Sequence, residues 1–142
     1  MEVKVKWNQK MQFTAVGDSG HEVIMDAKPD VGGEDTGSRP TEVLVMAAGG
    51  CTGMDVISIL QKMKQNVFAF EVRIHADKAT EHPHVITAME LEYVVTGHNI
   101  DPGAVDKAAK LSFDKYCGVL NTLKPAVKIT YRSTVKETDF SC

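Results

Sequence analysis

The stretch Val43–Asp55, VLVMAAGGCTGMD, decides the fold. An apolar run of helical character carries two glycines, a thiol, a third glycine and a carboxylate in its middle. A packed helix prefers alanine there, because a mid-helix glycine costs about 1 kcal/mol relative to alanine. Either the helix breaks, or something approaches it closely. Downstream, Val56, Ile57, Leu60 and Met63 make an apolar face, and Asp55, Ser58, Lys62 and Gln65 make a polar stripe. That period predicts helix over 55–65. Upstream, Pro40 suits a first helical position and Glu42 suits the positive end of the helix dipole. The part before Cys51 is apolar almost all round, so burial on most sides is expected.

Outward from this helix the period switches to two. Phe68, Phe70, Val72, Ile74 and Ala76 alternate with polar residues, and so do Val85 through Val95, which predicts a hairpin. Before the helix, Val3, Val5 and Trp7, then Met11, Phe13 and Ala15, then Val23 and Met25 predict a meander with one apolar face. Residues 28–38 read as loop. Asp101-Pro102 reads as a helix start, with Val105, Ala108, Ala109 and Ser112 facing inward and an Asp106/Lys110 pair one turn apart. Pro125 ends the next helical segment, and Val127, Ile129 and Tyr131 make a last strand. The expectation is an α+β fold: antiparallel sheets with two main helices, one of them a buried central helix. One chain of this length cannot easily cover an all-apolar helix, which favours a second subunit.

The chain has 142 residues, which predicts a single domain over 1–142. At 43% hydrophobic residues it can bury a core without staples. The net charge of −3 is interspersed, with no Lys/Arg block, so a nucleic-acid surface is not expected. No apolar run reads as long enough to span a bilayer, and the charged N-terminal MEVKVKWNQK does not read as a signal peptide. Three cysteines are no disulfide framework. The expected compartment is the cytoplasm, with no membrane partner.

Cys51 and Cys117 are the candidate chemistry. One reading is an attacking thiolate and a second thiol that captures the resulting sulfenic acid, with Gly49-Gly50 letting a substrate or backbone come close. The other is two buried cysteines packing as small hydrophobes. Spacing alone leaves both open.

The pattern Arg39-Pro40-Thr41-Glu42-Val43-Leu44, then Ala47-Ala48-Gly49-Gly50-Cys51, then Tyr116-Cys117-Gly118-Val119-Leu120-Asn121-Thr122-Leu123 resembles the OsmC/Ohr family. These are osmotically inducible and organic-hydroperoxide-resistance proteins. His82-Pro83 and Val95-Thr96-Gly97 fit as well, so the resemblance spans most of the chain. It implies an intertwined homodimer with two sites at the interface, and thiol-dependent reduction of organic hydroperoxides. Cys51 would be the peroxidatic thiol and Cys117 the resolving one. An external dithiol would reopen their disulfide, and no cofactor or metal is implied. The family places a Glu directly after the Pro of the helix start, where it orients an Arg beside the thiolate. Here Thr41 stands in that place, Glu42 matches the next, and no Arg precedes Arg39. The activating pair is missing in its usual form. A homologue of this kind that lacked efficient peroxide chemistry would instead bind small apolar ligands in the dimer cleft.

Three auxiliary residues follow. Arg39 is either a cation aimed at the Cys51 pocket or a solvated loop residue. Glu42 is the surviving carboxylate of the helix start. Asp55, one turn after Cys51, either opposes a thiolate by like charge or makes an interface or backbone contact. His82 and His84 beside Glu81 have weak ligand spacing and read as surface loop. Cys142 reads as a free terminal thiol.

Overall fold

A computed structural model gives the fold, and it describes residues 1–139. The expectations for Cys142 therefore lie outside the described residues. The chain divides into two compact units, Met1–Leu44 and Val45–Cys142.

In the first unit, β1 (Val3–Gln9), β2 (Gln12–Gly17) and β3 (Glu22–Met25) form an antiparallel meander in the order the alternation predicts. The β2–β3 turn closes with the Gly20 N–H donating to Gly17 O at 3.1 Å, and Gly20 takes the left-handed φ of 77° that its lack of a Cβ allows. Many apolar side chains of this unit stay exposed: Val5, Trp7, Met11 and Phe13 all reach solvent. The buried residue here is a carboxylate, Asp26. It accepts from the Ala27, Glu34 and Thr36 N–H groups and from the Thr36 hydroxyl at 2.6 Å. These bonds wind the 27–36 loop around it, including a 3-10 turn at Pro29–Val31.

Helix α1 (Pro40–Lys62) begins in the first unit and runs through the second. It does not break at its glycines. Gly49 and Gly53 face the neighbouring strand β4 (Asn66–Lys78): a Cβ at 49 would meet Ile74 Cδ1 at 3.0 Å, and one at 53 would meet Val72 Cγ2 at 3.4 Å. The missing side chains let the helix lie close on the sheet. Burial on most sides does not hold within one chain. Ala48, Thr52, Val56 and Leu60 form one buried stripe, while Leu44, Met46 and Met54 are exposed. By length and composition α1 is long and apolar enough to cross a membrane, contrary to the sequence expectation. Its glycines and Thr52 disguise that run. It packs here as a core helix against a sheet.

That sheet pairs β4 with β5 (Ile86–His98) antiparallel, as expected, with Val72 opposite Tyr93 and Ile74 opposite Leu91. One pairing differs from the antiparallel expectation: β6 (Lys128–Glu137) runs parallel to β5. A parallel neighbour requires a crossover, which the helical segment between the two strands supplies. The crossover starts with α2 (Pro102–Leu111), where Asp101 caps the Gly103 N–H at 2.9 Å. It widens into a π-helical turn at Ser112–Tyr116 and closes with α3 (Gly118–Leu123). Lys110 does not pair with Asp106. It meets Asp114 at 2.5 Å instead, one turn further along the same exposed face. The core gathers Val56 and Leu60 of α1, Met89, Leu91 and Tyr93 of β5, Val105 of α2 and Leu120 of α3.

Candidate thiol site

Two of the predicted residues are brought together. Cys51 sits on α1, half-buried, on the flank that Asp55 and Lys62 also occupy. Cys117 is fully buried at the residue that caps α3. The turn before it closes with the Cys117 N–H donating to Ser112 O at 2.9 Å, and the Leu120 N–H donates to Cys117 Sγ at 3.4 Å. The two cysteines are free thiols, and they lie close enough for Cys51 to act on Cys117 electrostatically. Burial pushes the Cys117 thiol up to about 11, Cys51 adds to the rise, and the Leu120 N–H works against it. Cys117 is therefore a neutral thiol near pH 7.

The auxiliary residues go to other partners. Arg39 pairs with Asp35 at 2.7 Å and donates to Gly37 O at 3.0 Å, so it serves its own loop. Its Nε is buried without a partner. Glu42 accepts from the Arg39 N–H at 2.9 Å, which closes one of the open donors at the start of α1. Asp55 makes neither a backbone contact nor an ion pair among the described residues; it accepts from the Ser112 hydroxyl at 2.9 Å.

That last bond leads to residues the sequence did not single out for chemistry. Ser112 Oγ lies 2.7 Å from Thr52 Oγ1, and Thr52 Oγ1 lies 2.7 Å from Tyr93 Oη. All three hydroxyls belong to fully buried side chains. Ser112 and Tyr93 were legible as inward-facing positions, and Thr52 adjoins Cys51 in the opening stretch. Their convergence from three elements leaves no periodic signal.

Gly49 and Gly53 admit the neighbouring strand, as close approach requires, and the Gly50 position is open. An apolar hollow of about 630 Å³ lies on the opposite flank of α1, lined by Met46, Gly50, Met54, Phe70 and Val72 among others. A second hollow of about 480 Å³, lined by Asp55, Ser58, Ile59, Lys62, Leu111 and Tyr116, lies on the cysteine flank. The His82 and His84 rings lie 4.2 Å apart at a tilt of 53°, and His84 Nδ1 bonds Ala79 O at 3.0 Å in its own loop. Among the described residues, His98, Glu137 and Asp139 place ligand atoms within 4.8 Å of one another, all exposed.

The family model for OsmC-like proteins matches residues 32–132. The chain belongs to the OsmC-like family. Protein YhfA of Escherichia coli K12 is 39% identical over 131 residues, covering 92% of this chain and 95% of that protein. The crystal structure of a hypothetical protein from Aquifex aeolicus is 29% identical with a TM-score of 0.79, covering 95% of this chain and 96% of that one. An organic hydroperoxide resistance protein OsmC from Legionella pneumophila shares the fold at a TM-score of 0.70 and 11% identity, covering 94% and 96%.

Proposed function

We propose that this OsmC-like chain is a thiol peroxidase that reduces organic hydroperoxides in the cytoplasm as a homodimer, with a role in peroxide stress. The observation that carries this reading is a half-buried Cys51 packed against the core cluster that holds a fully buried Cys117. The Cys51 thiolate attacks the distal peroxide oxygen, the O–O bond breaks, and the alkoxide takes a proton and leaves as alcohol. Cys51 is then a sulfenic acid. The Cys117 sulfur attacks it, a disulfide forms, and hydroxide leaves and is protonated to water. An external dithiol reduces the disulfide by exchange and is itself oxidised. A relative in the same fold carries the organic-hydroperoxide name, and the exposed Met46 and Met54 on α1 suit a second copy.

Turnover of an alkyl hydroperoxide with dithiol supply tests the chemistry; no turnover with any hydroperoxide sinks it. Sedimentation tests the assembly: Met54→Asp dissociates a dimer built on this face and leaves any other dimer intact. One observation favours a second reading. Arg39 is held by Asp35, and Glu42 is spent on the helix start, so neither is free to activate a thiol. On that reading the protein is a weak peroxidase whose apolar cleft binds small apolar ligands. A Cys51 thiol that titrates well below about 8 supports the peroxidase, and one that does not supports the binder.

A further inference from the structure

The hydroxyls of Tyr93, Thr52 and Ser112 have no evident packing purpose. Phe, Val and Ala would fill nearly the same space without desolvating a polar group. Instead the three bond one another in series and end on Asp55. Each hydroxyl owns one proton. A carboxylate only accepts, so Ser112 donates to Asp55. Ser112 must then accept from Thr52, and Thr52 must accept from Tyr93. Tyr93 keeps its proton, because burial pushes its phenol up to about 12. All three O–H bonds thus point toward Asp55, and the Tyr93 oxygen is left with lone pairs only. Such a chain takes a proton in at Tyr93 and gives one out at Asp55.

Both ends meet something useful. At the inner end Tyr93 and Cys117 belong to one buried cluster, and the Tyr93 oxygen is the open acceptor of the chain. Tyr131 is the other titratable neighbour there, its ring 5.9 Å from that of Tyr93. At the outer end Asp55 opens into the 480 Å³ hollow with Lys62 and Tyr116, and stands one helical turn after Cys51. In the reduced protein Cys117 keeps its proton, because burial pushes its thiol up to about 11. To attack an oxidised Cys51, this fully buried thiol needs a way to release its proton.

We propose that Tyr93, Thr52 and Ser112 form a proton relay that carries the Cys117 proton to Asp55 as the Cys51–Cys117 disulfide closes. Each hydroxyl passes its own proton outward and receives the next. Cys117 attacks as thiolate, the Cys51 S–O bond breaks, and the proton gained by Asp55 turns the departing hydroxide into water. The four are positioning and proton-carrying residues, not groups that touch the peroxide. The proposal rests on the two-cysteine reading, but it is testable without peroxide.

The full chain carrying Cys142→Ser is reduced and mixed with one equivalent of dithiobis(nitrobenzoate). The first thionitrobenzoate released marks loading of Cys51, and the second marks attack by Cys117. Thr52→Val and Ser112→Ala are expected to slow the second release at least about tenfold, move its pH profile upward and reduce its solvent deuterium isotope effect, while Thr52→Ser restores it to within about twofold. Circular dichroism in the aromatic region verifies that each variant is folded. A folded Thr52→Val that closes at the original rate, with the original pH profile and isotope effect, overturns the relay. So does a Thr52→Ser as slow as Thr52→Val, since the methyl group and not the hydroxyl would then matter. Exposure to an alkyl hydroperoxide with no Cys51 sulfenic acid formed overturns the peroxidase reading alone, because the release assay never uses it.

Discussion

The two units solve the problem of staying folded in opposite ways. In Val45–Cys142 apolar side chains are gathered inside, and the buried hydroxyls of Thr52, Tyr93 and Ser112 bond one another. In Met1–Leu44 the apolar side chains face solvent and the buried group is a carboxylate. One unit is held by a core; the other is held by ladder hydrogen bonds and a loop tied to Asp26. Chemistry that needs a desolvated thiol belongs in the first kind of unit. A surface that waits to be covered belongs in the second.

The largest expected effect lies inside the core-built unit. Cys51→Ser abolishes steady-state hydroperoxide reduction, and Cys117→Ser leaves a single turnover that ends in a Cys51 sulfenic acid trapped by dimedone. Stability comes next. Leu60→Ala removes a fully buried side chain and costs about 2–5 kcal/mol in urea unfolding. Val5→Ala, at a position 53% exposed on the meander, stays within about 0.5 kcal/mol if that face is open. A Val5→Ala loss as large as that of Leu60→Ala would mean that a second copy covers the meander, and the contrast between the units would vanish on assembly.

Asp26 gives a pH signature confined to the first unit. The Thr36 hydroxyl, with three backbone N–H groups assisting against burial, lowers its carboxyl to about 2. A depressed folded-state value favours the fold at pH above the ordinary carboxylate range. That contribution is lost as pH falls from about 4 through about 2. Thermal melts followed across this window should therefore fall less steeply for Asp26→Asn than for the parent, from a lower starting point. The smallest effect is at Lys110. Its pair with Asp114 is exposed on both sides, so Lys110→Ala leaves the melting midpoint unchanged within error.

Much of this was legible. Alternation placed β4 and β5 in their observed pairing, and Asp101-Pro102 announced α2. The two cysteine motifs pointed to Cys51 and Cys117 as neighbours, and they pack in one core cluster; a match across both halves of the chain carries tertiary information that spacing lacks. The direction of β6 was not legible: periodicity reports which face a residue takes, and it is blind to strand polarity. The reach of β6 past Tyr131 was hidden by Ser133 and Thr134, half-buried hydroxyl residues that blur the alternation. The Thr52–Tyr93–Ser112 chain was hidden for a similar reason. Each member looks ordinary on its own element, and only the tertiary packing makes them one object.

The π-helical turn at Ser112–Tyr116 acts as a ruler. Its first residue supplies a hydroxyl to the buried chain, and the amide of the residue after its last, Cys117, bonds back to the carbonyl of that first residue. Hydroxyl and thiol are thus spaced by a count of residues and not by their identity. Asp114, Lys115 and Tyr116 between them are exposed. A single deletion among them would turn Cys117 by about 100° around the helix axis. The lesion this segment cannot absorb is a change of length.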